Sequence, residues 1–175
     1  MFLPKPDSEA YLPCPEGDHT GVCYRFIDLG TQQYQHPGQV KHQRKVMISW
    51  ELPHTIIPIG EHAGRPYALH QQYTWSMHEK ATLRKHLECW RGVPFRESDF
   101  GEGGCDVRDL LGKACTLSVV RCQKAGRPSA RLNHIRRPAK GSSLPNGTVN
   151  EPVYFSLEDK HFDFLAFGKL SPHVQ

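Results

Sequence analysis

The sequence predicts a mainly β domain with one main helix, and three observations carry that prediction. Apolar and polar residues alternate over residues 46–52, a pattern typical of a half-buried strand. Residues 83–90 carry an apolar stripe at helical spacing. Two runs of β-forming residues, 114–122 and 129–135, flank a turn that contains Gly126 and Pro128. The predicted order is therefore three strands, one helix and two strands.

The place of the helix in that order favours one architecture. In the OB fold, a five-stranded barrel, a helix between strands three and four closes one end, and ligands bind the face of strands two and three beside loops one–two and four–five. Those two loops correspond here to residues 31–41 and 123–128, and basic residues flank both. We therefore expect an OB-fold-like barrel of order β-β-β-α-β-β. The alternative is a generic small β-rich α+β domain.

The three strands before the helix follow from their residue types. β-forming residues fill 22–29 and predict strand one. Strand two lies in QVKHQRKVMISWELP, residues 39–53, where Val46, Ile48, Trp50 and Leu52 share one face. Strand three spans residues 67–75, and one of its faces carries Tyr67, Leu69, Gln71, Tyr73 and Trp75.

The helix has predicted start and stop signals. Ser76 followed three residues later by Glu79 matches a capping box, in which each side chain accepts a hydrogen bond from the other residue's backbone. Gly92 is the predicted C-terminal stop. The buried stripe of the helix consists of Leu83, Leu87 and Trp90.

The chain after the helix is predicted to turn often. Asp106 can cap a short helical turn over residues 107–111, which Gly112 ends. Strands four and five, residues 114–122 and 129–135, form a hairpin. We divide the chain into an N-terminal arm of residues 1–20, an OB-fold-like domain of residues 21–141, and a linker with an aromatic and acidic tail, residues 142–175.

Charge is unevenly distributed along the 175 residues. The whole chain has a formal net charge of +4. Residues 142–175 contain two lysines against four acidic residues, a net of −2, so residues 1–141 carry +6. A basic body of this kind indicates a polyanionic partner.

Other classes of protein find little support. The six cysteines form no CxxC pair, so we expect reduced thiols in small core spaces, no metal and no cofactor, although 11 histidines are present. No stretch is long and apolar enough to span a membrane, and the N-terminus does not resemble a secretory signal. No GxSxG, HExxH or phosphate-binding Gly-rich motif occurs, and no clustered carboxylates suggest a nuclease, so we expect no enzymatic activity and no catalytic residues.

Four blocks of sequence resemble a family of small phage-encoded proteins. The blocks are CYRFIDLGTQ, KVMISWELP, YTWSMHEKATLRKHLECWRG and DVRDLLGKACTLSVV, and the resemblance covers about residues 20–137. Members of that family are described as hypothetical proteins or as single-stranded-DNA-binding proteins with an OB-like fold. The resemblance implies single-stranded DNA binding with low sequence preference, in phage DNA replication or recombination in the cytoplasm of a bacterial host. The chain ends in LSPHVQ rather than in the acidic tip of bacterial single-stranded-DNA-binding proteins.

Binding a single strand requires cations for phosphates and aromatic faces for bases. The cationic candidates form two groups that we expect to border one groove: Lys41, Arg44 and Lys45 at the start of strand two, and Arg121, Lys124, Arg127 and Arg131 around the last hairpin. Tyr73 and Trp75 are the stacking candidates, with packing against the helix as their alternative role. Trp50 and Trp90 are expected in the core.

The C-terminal tail supports a second hypothesis, a protein-interaction function. Its apolar residues are too numerous for an idle disordered end. The tail can bind a host protein, such as a defence nuclease that the phage inhibits or recruits. It can also pair with a second copy to form a homo-oligomer, or fold back onto its own domain.

Overall fold

A computed structural model describes residues 12–138, 141, 147–158 and 162–170. Its elements in chain order are β1 (Gly17–His36), β2 (Gln39–Ile56), β3 (Pro66–Thr74), α1 (Thr82–Arg91), β4 (Ala114–Lys124), β5 (Arg127–Arg136), β6 (Val153–Phe155) and α2 (Phe164–Gly168). Two single 3-10 turns, Glu97–Asp99 and Val107–Leu110, lie between α1 and β4. The predicted mainly β class is confirmed, with the short β6 and α2 added in the tail.

The strands form one sheet whose hydrogen-bonded order is β3-β2-β1-β4-β5. These five strands pair antiparallel, and β6 pairs parallel with β1 at Arg25–Ile27. The end strands β3 and β5 approach each other to within 8 Å between Cα atoms. Among the described residues no backbone ladder joins them, so the sheet stays open along this β3–β5 seam, and the predicted OB-fold-like barrel is not confirmed.

The sheet curls around a single main core. Side chains from β1 to β5 and from α1 all belong to this core, which a flat sheet could not bring together. Trp50 and Trp90 lie in it with ring centroids 6.0 Å apart, as the sequence predicts. Leu83 and Leu87 are buried beside Trp90, so the predicted helix stripe is confirmed.

The predicted capping box at the start of α1 is wrong. The helix begins at Thr82, and its N-cap residue, Ala81, makes no side-chain cap hydrogen bond. The Ser76 hydroxyl instead accepts a hydrogen bond from the His78 N–H at 3.3 Å, which closes a local turn. The extended backbone continues through Trp75, whose N–H donates to the Arg44 carbonyl of β2 at 2.8 Å. Residues 76–81 separate this sheet contact from the first residue of the helix.

The predicted stop and cap after α1 are confirmed. Gly92 adopts a left-handed φ of 71°, and its N–H donates to the Glu88 carbonyl at 2.7 Å. The Asp106 carboxylate accepts from the Arg108 N–H at 2.8 Å and caps the second 3-10 turn.

The two predicted loops are largely strand. β1 and β2 continue to a tight turn at Pro37 and Gly38, and the polar residues 31–35 pair across the hairpin. β4 and β5 continue to a two-residue turn in which Ala125 and Gly126 have φ of 50° and 76°, as a type I′ hairpin turn requires. These segments are polar, and their polar composition predicted loops. The backbone hydrogen bonds of a strand pair do not require apolar side chains, so the segments form strands.

The tail folds back onto the outer face of β1 and β2. Val153, Phe155 and Leu170 bury Ile27 and Met47 in a second, smaller core. At the other end, Cys14 is buried in the main core and β1 begins at Gly17, so part of the predicted N-terminal arm belongs to the domain. No helix in the described part of the chain is long and apolar enough to cross a membrane.

Candidate nucleic-acid interface

Two hairpins carry basic residues without acidic ones. We call residues 31–45 the β1–β2 arm; it contains Lys41, Arg44 and Lys45 and no Asp or Glu. We call residues 114–137 the β4–β5 hairpin; it contains six Lys or Arg residues and no Asp or Glu. Both surfaces therefore suit a polyanion better than the chain-wide charge of +4 suggests.

An aromatic side chain lies on one face of the β1–β2 arm. Tyr34 pairs with Lys41 across the hairpin, and the Lys45 Nζ lies 5.8 Å from the centroid of the Tyr34 ring. Tyr34 is half-buried and its neighbours on the strands are exposed. Tyr34 is not among the residues predicted from the sequence, although Tyr34 and Lys41 are equally distant from the turn at Pro37 and Gly38, and that symmetry could have placed them side by side.

Lys45 is held in place from both sides. Its ammonium group donates to the Gln43 side-chain carbonyl at 2.9 Å and to the Thr74 hydroxyl at 2.7 Å. Because Thr74 lies on β3, these contacts fix the cation at the junction of β2 and β3. A positioned cation beside an aromatic face is the arrangement that single-strand binding requires.

Arg44 is engaged within the protein. Its Nε donates to the Asp28 carboxylate at 3.2 Å, and its two terminal nitrogens contact Asp28 and Glu158. Burial of Asp28 opposes ionisation, but hydrogen bonds from Arg44 and from the Gly30 and Leu157 N–H groups outweigh it and lower the pKa of this carboxyl. Asp28 therefore remains the buried partner of Arg44, and the third guanidinium nitrogen faces the exposed Glu158.

The cations of the β4–β5 hairpin divide between its two faces. Arg121, opposite Ala130, is two residues after buried Val119 on β4 and so shares the core-facing side of the strand. Lys124 and Arg127 are opposite each other on the outer face. Arg131, opposite Val120, shares that outer face. All four cations are exposed, and within the described ranges none has a carboxylate within 4 Å.

The two predicted stacking residues, Tyr73 and Trp75, both lie beside α1. Tyr73 is buried, and its hydroxyl shares a 2.9 Å hydrogen bond with the His86 Nδ1, which corresponds to its alternative role, packing against the helix. Trp75 is half-buried with its ring edge-on to Phe26 at 6.0 Å, and it faces a pocket beside α1. His86 of the helix that follows β3 covers Tyr73, which is the alternative role predicted from sequence, whereas the Trp75 ring lines the pocket.

The two basic surfaces lie towards opposite ends of β1. Gly17 pairs with Val119, so the tip of the β4–β5 hairpin extends beyond the start of β1. The turn at Pro37 and Gly38 lies beyond its other end. A nucleic-acid strand that contacts both surfaces would follow β1 from one end towards the other, and a groove shared by the two groups stays a prediction.

Comparison with known proteins gives a limited match. No protein-family model matches the chain. A stretch of 73 residues is 34% identical to the tRNA pseudouridine synthase Pus10 of Cenarchaeum symbiosum (strain A), which corresponds to 38% of this chain and 18% of that protein. The chain thus spans less than a fifth of the length of that curated relative.

In the described part of the chain, no group of three or more His, Cys, Asp or Glu residues could hold a metal ion.

Proposed function

We propose that this protein binds single-stranded DNA with low sequence preference and supports phage DNA replication or recombination in the cytoplasm of a bacterial host, without catalysing a reaction. The observation that carries the proposal is the β4–β5 hairpin, six basic residues with no acidic one. We also propose that the curled sheet with its open seam is an OB-fold domain, because that fold is a partly open five-stranded Greek-key barrel.

Phosphate contacts would provide the larger part of the affinity. Lys124, Arg127 and Arg131 on the outer face of the hairpin need not break an ion pair with a described residue before binding a phosphate. Each phosphate contact on a single strand changes the slope of log K against log salt by about −0.7, so four to six contacts predict a slope of about −3 to −4.

Base stacking would provide the preference for single strands. An unpaired base can lie on Tyr34 while its phosphates contact Lys41 and Lys45 on the same face. Stacking contributes about 1–3 kcal/mol per base and requires no particular base, which accounts for low sequence preference. A duplex keeps its bases stacked on each other and cannot use this site.

Fluorescence anisotropy with a labelled 30-mer of oligo-dT tests the proposal. We expect binding at low salt, weaker binding of duplex DNA, and a loss of affinity in the triple variant Lys124→Ala, Arg127→Ala, Arg131→Ala. The matched control removes three exposed cations elsewhere, Arg65→Ala, Lys80→Ala and Lys85→Ala, and should bind nearly as the unchanged chain does. Oligo-U as a competitor measures the preference for DNA over RNA. No binding at low salt would refute the proposal.

A second candidate function is protein interaction through the tail. Phe164 and Leu165 of α2 are 77% and 83% exposed, although Val153, Phe155 and Leu170 of the tail are buried in the second core. Removal of the whole tail would uncover Ile27 and Met47, so the sharper variant is Phe164→Ser, Leu165→Ser. Capture of a host protein from nuclease-treated lysate, lost in this variant while oligo-dT binding persists, would favour the second function.

A further inference from the structure

A pocket beside α1 lies outside both basic surfaces. It has a volume of about 440 Å³ and opens between α1, the residues after β3 and the chain that precedes β4. Its walls are apolar, and the side chains that shape it are Trp75, Met77, Leu87, Phe95, Phe100 and Leu110. We call it the α1 pocket. Its volume lies within the range of about 300–1,000 Å³ typical of ligand pockets.

The outer wall of the α1 pocket is held by several contacts. Phe95 and Phe100 stack with centroids 5.6 Å apart, and the Arg91 guanidinium lies 4.3 Å from the centroid of Phe95. Arg91 also donates to the Asp99 carboxylate at 3.0 Å, and the Phe95 N–H donates to Glu88 at 3.0 Å. The wall is therefore built by specific interactions and the pocket exists before anything binds.

The rim of the α1 pocket is acidic in an otherwise basic protein. Residues 92–112 contain five acidic residues and two arginines, a net of −3 against +4 for the whole chain. Asp99, Asp106 and Asp109 line the pocket, and among the described lining residues Arg91 is the one cation, paired with Asp99. Arg108, next to the lining, lies 3.9 Å from Asp106 in an exposed ion pair, and Asp109 lies beside them. A neighbouring pocket that shares Leu87, Arg91 and Leu110 has Lys113 and Arg137 on its rim, so the acidic character belongs to the Trp75 side.

We propose that the α1 pocket docks a segment of a partner protein in which an aromatic or aliphatic anchor lies next to lysine or arginine. The anchor would fill the apolar interior and release its water, and the cations would face Asp106 and Asp109. Large apolar anchors in a preformed pocket supply most of the energy of such contacts. The acidic rim repels phosphates, so this site and the basic surfaces can be occupied together. The inference does not depend on the proposed DNA binding.

Fluorescence polarisation on the full chain tests the docking proposal. The probe is a fluorescein-labelled peptide of sequence KKGFLGKK, with EEGFLGEE and KKGAAGKK as matched peptides. We expect the probe to bind at least about ten times more tightly than either matched peptide, since it alone has both the anchor and the cations.

Two paired variants locate the binding. Asp106→Asn with Asp109→Asn removes the rim charge and keeps the cap, because asparagine caps a helical turn as well as aspartate does. Glu97→Gln with Glu102→Gln removes two charges from the same acidic segment outside the pocket lining. We expect at least a fivefold loss of probe affinity in the first pair and less than a twofold change in the second.

Three outcomes would overturn the proposal. The first is equal probe affinity in both paired variants, which would show a non-specific charge effect. The second is displacement of the probe by oligo-dT, which would place it on a basic surface. The third is self-association in sedimentation velocity that the Asp106→Asn, Asp109→Asn pair abolishes, which would make a second copy the occupant.

Discussion

The hydroxyl of buried Tyr73 on β3 and the Nδ1 of His86 on α1 lie 2.9 Å apart and share a hydrogen bond beside the β3–β5 seam. The His86 ring also meets the His134 ring of β5 edge-on, with centroids 6.4 Å apart. Since no backbone ladder joins β3 to β5 in the described part of the chain, α1 connects the two strands through this histidine. The helix is therefore part of how the sheet closes on its core.

Acid should weaken this connection. Burial, and then the neighbouring His134, lower the pKa of His86. A histidine with a lowered pKa in the folded state contributes stability above its ordinary pKa of about 6.5, and that stability is lost as the pH falls below it. Urea unfolding should give a smaller free energy of unfolding at pH 5.5 than at pH 8. Part of the pH dependence should persist without His86, since burial, followed by Arg25, also lowers the pKa of His70.

The variant His86→Gln separates the titration from the hydrogen bond. Glutamine can still pair with the Tyr73 hydroxyl but does not titrate, so the difference between pH 5.5 and pH 8 should shrink. His62→Gln, at an exposed position, is the control and should leave the difference unchanged. An unaltered pH dependence in His86→Gln would contradict the assignment.

Glu51 holds the chain before β6 against the sheet. Its buried carboxylate accepts hydrogen bonds from the Val149 and Asn150 N–H groups at 2.8 and 2.7 Å and from the Asn150 side chain at 2.6 Å. Glu51→Ala should lower the free energy of unfolding by about 1–3 kcal/mol, because the hydrogen bonds to the carboxylate are lost. The loss should not be larger, because the released donors can turn to water. Limited proteolysis should then cut residues 147–158 faster. The exposed control Glu61→Ala should change neither measurement.

Glu158 should oppose DNA binding by occupying Arg44. This tail carboxylate is 67% exposed and contacts the guanidinium nitrogen that does not bind Asp28. Exposed ion pairs contribute about 0–1 kcal/mol, so Glu158→Gln should leave the free energy of unfolding nearly unchanged. The same substitution frees Arg44 for a phosphate, so it should raise the affinity for oligo-dT up to about fivefold. Glu151→Gln, which removes an exposed tail carboxylate paired with Lys169, is the control. Equal affinities in the two variants would mean that Arg44 takes no part in binding.

Tyr34 provides a direct test of base stacking. Tyr34→Ala should weaken oligo-dT binding by about 1–3 kcal/mol, and Tyr34→Phe should bind nearly as the unchanged chain does because the ring remains. The salt slope should stay the same in both variants, since no cation is removed. Anisotropy at two salt concentrations measures both quantities. A loss in Tyr34→Phe equal to that in Tyr34→Ala would exclude stacking.

Local patterns in the sequence were sufficient for the strands and the helix stripe. Alternation placed Trp50 inwards, and helical spacing did the same for Leu87 and Trp90, because each depends on residues a few positions away. The Ser76 and Glu79 pattern failed because the helix begins only at Thr82, while Trp75, next to Ser76, still bonds to distant Arg44 of β2.

Parts of the candidate site depend on contacts that sequence spacing does not reveal. Glu51 and Asp28 are buried with partners from residues 149–158, about a hundred positions later in the chain. The exposure of Tyr73 was overestimated because its cover, His86, comes from the following helix. The basic groups were found from composition, but their placement at opposite ends of β1 follows from the register of the hairpins.

The salt dependence of oligo-dT binding tests the central claim most directly. In anisotropy titrations from low to moderate salt, the slope of log K against log salt should be about −3 to −4 for the unchanged chain. In the Lys124→Ala, Arg127→Ala, Arg131→Ala variant the slope should be shallower by about 2. A slope near zero, or an unchanged slope in the variant, would contradict the account.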